Sequence, residues 1–307
     1  MKRIGLVLLL AGVAGASCAG TAQADWHAPN TAVVDIGYFY DALEPYGYWV
    51  TLEPYGPVWV PTAVTAGWQP YTDGYWIYTD CGWTWVSYED WGWAPYHYGR
   101  WALDTGYGWV WVPDTVWGPA WVAWRAGDGV IGWAPLPPEI HWFVGLGFDP
   151  GGLYFDEFVR PDAWCFIRDR DFVRRHVGRH CFPRNWVEAY VRTTRDVTDY
   201  GYVRGRIVDR SLDVKYVEQR TGQRIRMHGI VDRDWRGRPG RTIVRGDAVH
   251  VYRPQFHSTD GVRVIDRSVS REAETQRQKN ANQKSNDGRN AEPRKTRERQ
   301  RERGQRR

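Results

Sequence analysis

Trp recurs in this chain at a fixed stride. Trp59, Trp85 and Trp111 are each 26 residues apart and each is followed by Val; Trp83 and Trp109, and Trp91-Gly92 and Trp117-Gly118, are also 26 apart. "GWQPYTDGYW" (67–76) is echoed 25 residues later by "GWAPYHYGRW" (92–101). Sixteen of the twenty Trp lie between Trp49 and Trp142. Such a stride marks an internal repeat, in which each unit buries its apolar surface against its neighbours. A single unit of this length cannot build a core of its own.

Each unit reads as a β-hairpin followed by a Gly/Pro turn. One strand is Tyr75-Trp76-Ile77-Tyr78, turning through Asp80-Cys81-Gly82 and returning as Trp83-Thr84-Trp85-Val86. A second hairpin runs over 100–103, turns through Asp104-Thr105-Gly106 and returns over 109–112. A third pairs 121–124 with 130–134 across Ala126-Gly127-Asp128-Gly129. Aromatic and β-branched runs bounded by Gly, Asp and Pro are strand signals, and Pro interrupts pairing between them. Alternation puts Trp83 with Trp85, and Trp109 with Trp111, on one face, opposite Thr84 and Val86 or Val110 and Val112. Both faces are largely apolar, so the sheet is covered on both sides, closes on itself, or shows aromatics to a partner. The expected fold is mainly β: an antiparallel meander of repeated Trp-rich hairpins, sandwich- or barrel-like, then a small α+β domain and a disordered tail.

The two ends differ from the middle. A basic start at Lys2 and Arg3, an apolar run over 4–16 and small residues at Ala22 and Ala24 form a secretory signal peptide over 1–24. Lipidation of Cys18 in "GASCAG" is a second reading, with Gly15 where a lipobox wants Leu or Val. A lead-in follows over 25–43, the Trp-rich hairpin domain over 44–142, a Gly-rich connection over 143–161, the α+β domain over 162–256 and a basic tail over 257–307. From Ser268 to Arg307 there are thirteen Lys and Arg against six Asp and Glu and no aromatic residue, a composition that favours disorder. The pI near 9.0 belongs to the ends. Without them the chain is acidic, which speaks against a nucleic-acid partner for the folded part. Within the second domain "GYVRGRIVD" reads as a strand, Ser211 as an N-cap, 212–221 as a helix and Gly222 as its stop. "RIRMHGIVD", "RTIVRG" and "AVHVYRP" read as further strands, with Arg245-Gly246-Asp247 as a turn.

The stretches "GWQPYTDGYWIYTD", "GWTWVS", "WGWAPYHYGRW", "GWVWVPDTVWGPAWVAWR", "GWAPLPP", "VRGRIVDRSLDVKYVEQRTGQRI" and "RGDAVHVYRP" resemble a Trp-rich domain of unknown function, found in the exported YXWGQW-repeat proteins of diderm bacteria. The resemblance spans roughly residues 44–254. It implies export to the envelope and no established activity, and it carries over no catalytic residue.

Candidate sites are few. HExxH, GxSxG, P-loop and CxxC motifs are all absent. Cys165 and Cys181 are a candidate disulfide in an exported protein. With His176 and His180 they also have metal-ligand chemistry, but the disulfide is the preferred reading, and neither a metal nor another cofactor is expected. Cys81 is left over. His97 lies near Glu89, Asp90, Asp104 and Asp114 in sequence, which makes a hydrolase the third functional reading. Trp68, Tyr71, Trp91, Trp93, Tyr96 and Tyr98 fall in Pro-rich stretches between strands. They are the candidate aromatic binding surface, for an envelope glycan such as peptidoglycan or for another envelope protein. The tail is a candidate contact for an anionic polymer, and a membrane enters only through Cys18. The leading expectation is a non-catalytic structural or interaction module in the periplasm or secreted, with glycan binding second.

Overall fold

A computed structural model describes residues 37–143, 147–148, 158–233 and 239–254. The signal peptide with Cys18, most of the lead-in, most of the Gly-rich connection and the tail lie outside the described residues. The chain divides into two units, Met1–Val33 and Val34–Arg307, and every described residue belongs to the second. Among the described residues no helix is long and apolar enough to cross a membrane.

The Trp-rich part is four hairpins: β1 (Gly47–Leu52) with β2 (Gly56–Pro61), β3 (Gly74–Thr79) with β4 (Gly82–Ser87), β5 (Arg100–Asp104) with β6 (Gly108–Val112), and β7 (Val122–Gly127) with β8 (Val130–Pro135). Three of them stand where the sequence pattern puts them. The first is additional: Pro57 and Pro61 obscure its pattern. Each hairpin sets one Trp directly opposite another: Trp49 and Trp59, Trp76 and Trp85, Trp101 and Trp111, Trp124 and Trp133. Directly opposed aromatic pairs are a favourable cross-strand combination.

The repeat also explains a recurring Gly. Gly47, Gly74 and Gly99 each precede the outgoing Trp by two residues. A Cβ at these positions would lie 2.6, 2.5 and 2.8 Å from the rings of Trp59, Trp85 and Trp111. The return-strand indole therefore covers the outgoing backbone, and only Gly leaves room for it.

The hairpins do not follow one another edge to edge, and no closed barrel forms among the described strands. The first and third share a sheet in the order β1-β2-β6-β5, joined at Trp59 and Trp111. The other two recruit strands from the second half of the chain: β11 (Cys165–Arg168), β12 (Arg195–Asp196), β13 (Tyr200–Val203) and β14 (Arg206–Asp209). These complete the orders β13-β14-β4-β3 and β11-β8-β7-β12. Two short strands, β9 (Trp142–Phe143) and β10 (Gly147–Phe148), pair with each other. The last sheet is β15 (Gly229–Asp232), β17 (Ala248–Val251) and β16 (Ile243–Arg245), in that order.

"GYVRGRIVD" is thus a hairpin rather than one strand. Arg204 and Gly205 both have positive φ, 50° and 80°, as a tight two-residue hairpin turn requires. Short helices are α1 (Gly37–Leu43), α2 (Val187–Thr193) and α3 (Val214–Thr221). Asp213, not Ser211, caps α3, accepting the Tyr216 N–H at 2.9 Å. The Ser211 hydroxyl instead accepts the Asp199 N–H. Gly222 ends α3 in the left-handed conformation, as expected.

The core is mostly indole. Fifteen Trp are buried, Trp68 and Trp142 are partly buried, and of the described Trp only Trp186 is exposed, at 52%. The opposite face of the β1-β2-β6-β5 sheet buries Val50, Val58, Val60 and Val110 as a second, smaller cluster. Both faces of this sheet are covered, one of the three outcomes open to a two-sided apolar pattern.

Candidate functional site

Five of the six candidate surface aromatics are in the core. Tyr71, Trp91, Trp93, Tyr96 and Tyr98 are all at most 3% exposed, and only Trp68 keeps a partly open side. The physical reason is a set of hydrogen bonds that local sequence does not reveal. Irregular backbone can be buried only if its carbonyls find donors. Here the indoles supply them: Trp101 donates to Pro95 O, Trp111 to Tyr98 O, Trp121 to His97 O and Trp133 to Tyr71 O, all at 2.8–3.1 Å. Tyr71 adds a bridge, its hydroxyl donating to Tyr96 O at 3.0 Å and accepting the Trp121 N–H at 3.1 Å. A side chain that is large, apolar and carries one donor suits this task. Residues 91–99, buried throughout, are therefore an internal strut, as are Pro70 and Tyr71 in the link before them.

His97 is buried as well. Its Nδ1 lies 2.9 Å from Gly118 O and its ring stacks on Trp117. Burial pushes its pKa down to about 4. A neutral ring bonded to a backbone carbonyl in the core is not placed for acid–base catalysis, so the hydrolase reading loses its residue. Cys165 and Cys181 are disulfide-bonded, with Cα atoms 5.6 Å apart, which removes both thiolates from any metal set. No group of metal-binding side chains occurs among the described residues. His176 stacks on Tyr88 at 4.2 Å, and Cys81 is buried, its thiol pushed up to about 11 by desolvation.

One concave surface among the described residues is a groove of about 590 Å³. One wall is the link between the first two hairpins, including Trp68 and Asp73; the other is the disulfide segment, including Arg179 and Arg184. At its base Glu89 ties the walls of the Trp-rich part together. Its carboxylate accepts from Trp68 Nε1 at 2.8 Å, Ser87 Oγ at 2.8 Å and Tyr96 OH at 2.5 Å. Burial pushes its pKa up to about 7, against the pull of those three bonds. Trp68 meets Trp91 and Trp101 edge-on, 5.9 and 5.6 Å between centroids. The groove thus offers an indole, a carboxyl that titrates near neutrality and two guanidinium groups, on walls held by a disulfide and a hydrogen-bonded carboxylate. The spacing of Trp68 and Glu89 in sequence carries no signal for this meeting. The Cys pair did mark one wall.

The fold and the groove define a class: a mainly-β protein of Trp-paired hairpins with a ligand-sized, mixed-charge groove. Residues 40–140, which include all four hairpins, match the model of a family of unknown function (DUF6600). No curated protein and no solved structure matches the chain.

Proposed function

We propose that the protein is an exported, non-catalytic interaction module of the cell envelope, and that the Glu89 groove is its binding face. The carrying observation is preorganisation: the Cys165–Cys181 bond and the three hydrogen bonds to Glu89 hold the groove walls in place. A rigid concave surface loses little conformational freedom when a partner docks. The disulfide also suits the oxidising compartment that the signal-like leader implies. A photo-crosslinking residue at Thr65, exposed on the groove wall, tests this against the same residue at Val203, which is exposed and does not line the groove. In cells, Thr65 is expected to yield a discrete adduct and Val203 none. No adduct at Thr65, or equal yields at both sites, overturns the proposal.

Trp186 supports glycan binding at the same face. It is the exposed Trp among the described residues, stacks on Tyr190 at 6.3 Å, and stands two residues in sequence from Arg184 of the groove. A flat exposed indole suits a sugar ring. Peptidoglycan fragments should quench wild-type emission and leave the Trp186→Ala protein unaffected. Unchanged wild-type emission removes this reading.

A further inference from the structure

A second pocket, separate in its lining from the groove, lies along β3. It measures about 400 Å³. Arg175, Arg224 and Arg226 line it together with His228, and no Asp or Glu does. Among the described residues eight arginines are ion-paired, including Arg174, the immediate neighbour of Arg175, with Asp171. None of the three pocket arginines has a carboxylate partner among the described residues. The adjacent carboxylate, Glu218, accepts the Ile225 N–H at 2.8 Å. All three arginines are exposed, so water screens their mutual repulsion, and an anion entering the pocket meets three guanidinium groups with no carboxylate in its lining.

The pocket is also shaped for a particular kind of anion. The Arg175 guanidinium carbon lies 3.8 Å from the centre of the Tyr75 ring, which anchors this charge beside β3. The His228 backbone N–H donates to Tyr78 O at 3.0 Å, and its ring Nδ1 lies 3.2 Å from the same oxygen. Ile225 and Val244 form an apolar wall beside these charges.

We propose that this pocket binds a phosphate monoester with an apolar body. Planar guanidinium forks match phosphoryl oxygens two at a time. A phosphate monoester carries close to two charges and three free oxygens at neutral pH, against one charge and two oxygens for a carboxylate. It is the better complement to three arginines, and the apolar wall receives the ester group.

Calorimetric titration of the full-length chain with phenyl phosphate, inorganic phosphate and acetate tests this. Phenyl phosphate binds tightest and acetate weakest. Arg224→Ala/Arg226→Ala weakens phenyl phosphate at least about tenfold, the effect of losing charge-assisted hydrogen bonds. Arg224→Lys/Arg226→Lys keeps the charge without the fork and loses less. Arg299→Ala/Arg301→Ala, in the basic tail, binds as wild type does. Equal affinity of wild type and the Arg224→Ala/Arg226→Ala protein overturns the assignment. So does acetate binding as tightly as phosphate, or an equal loss from the tail variant.

Discussion

If indoles hold the hairpins together, Trp111 should be among the most costly side chains to remove. It is fully buried, sits opposite Trp101 within its own hairpin and opposite Trp59 in the next, and meets Phe39 edge-on at 5.1 Å. Its Nε1 donates to Tyr98 O at 2.8 Å. Removing a buried aromatic side chain costs about 3–5 kcal/mol. Leaving the Tyr98 carbonyl without its donor adds about 1 kcal/mol. The expected loss for Trp111→Ala is therefore ~4–6 kcal/mol, a large part of a typical domain's ~5–15 kcal/mol. With a urea dependence of ~3 kcal/mol per molar, the midpoint falls by ~1.3–2 M. Far-UV circular dichroism reads this without depending on the indole being removed. Trp111→Phe, which keeps a ring but not the N–H, should fall between wild type and Ala. Trp186→Ala, at an exposed site, should change stability by less than about 1 kcal/mol. A Trp111→Ala loss below about 2 kcal/mol, or one matched by Trp186→Ala, would refute the idea that these rings hold the sheets together.

Three further outcomes follow from the core. Asp209 is buried, accepts Trp124 Nε1 at 2.8 Å, and has its pKa raised by burial from 3.8 to about 7. The folded state then binds the proton more tightly, so stability present below pH ~4 is lost as pH rises to ~7, by up to ~4 kcal/mol. Asp209→Asn should flatten that part of a denaturation series between pH 4.5 and 8, and a slope unchanged from wild type counts against it. His97 has the opposite sign: its folded pKa of about 4 lies below the ordinary 6.5, so its contribution is present above pH ~6.5 and lost as pH falls towards 4. His97→Gln should make the acid limb less steep, and a limb as steep as before would show that His97 is already charged in the fold. Gly74→Ala should cost ~1–3 kcal/mol, because its Cβ would come within 2.4 Å of Val86 O and 2.5 Å of the Trp85 ring. Gly229→Ala, with nothing within 4 Å, is the control, and equal midpoints for the two variants would discount the close approach.

Strands and turns were legible where the signal is local. "GYWIYT", "DC" and "GWTWVS" announce a hairpin through alternation and a two-residue turn, and β3 and β4 are there. The pattern failed where a local signal had rivals. Ser211 and Asp213 are both plausible caps, and the choice depends on which side chain reaches an N–H of the first turn. Arg204-Gly205 is a turn only if both residues take positive φ, which Arg adopts less readily than Gly. The aromatic surface failed for a deeper reason. Pro-rich, irregular stretches ordinarily run over the surface because their carbonyls need water. In this protein indole N–H groups from other hairpins replace the water, and nothing in the stretches themselves says so.

The amino-acid sequence by itself determined three of the four Trp-rich hairpins, their stride and the two apolar faces, because alternation and turn residues act within about ten residues. Only the tertiary structure decided which hairpins share a sheet, that residues 91–99 are internal, and that Glu89 sits in a groove. Those outcomes rest on directional bonds between distant positions, such as Trp124 with Asp209 and Trp83 with Leu212, 85 and 129 residues apart. Burial is demanded of nearly every indole alike, but the fold selects which N–H groups find an acceptor: Trp83 and Trp124 do, whereas Trp49, Trp76, Trp85, Trp117 and Trp142 do not.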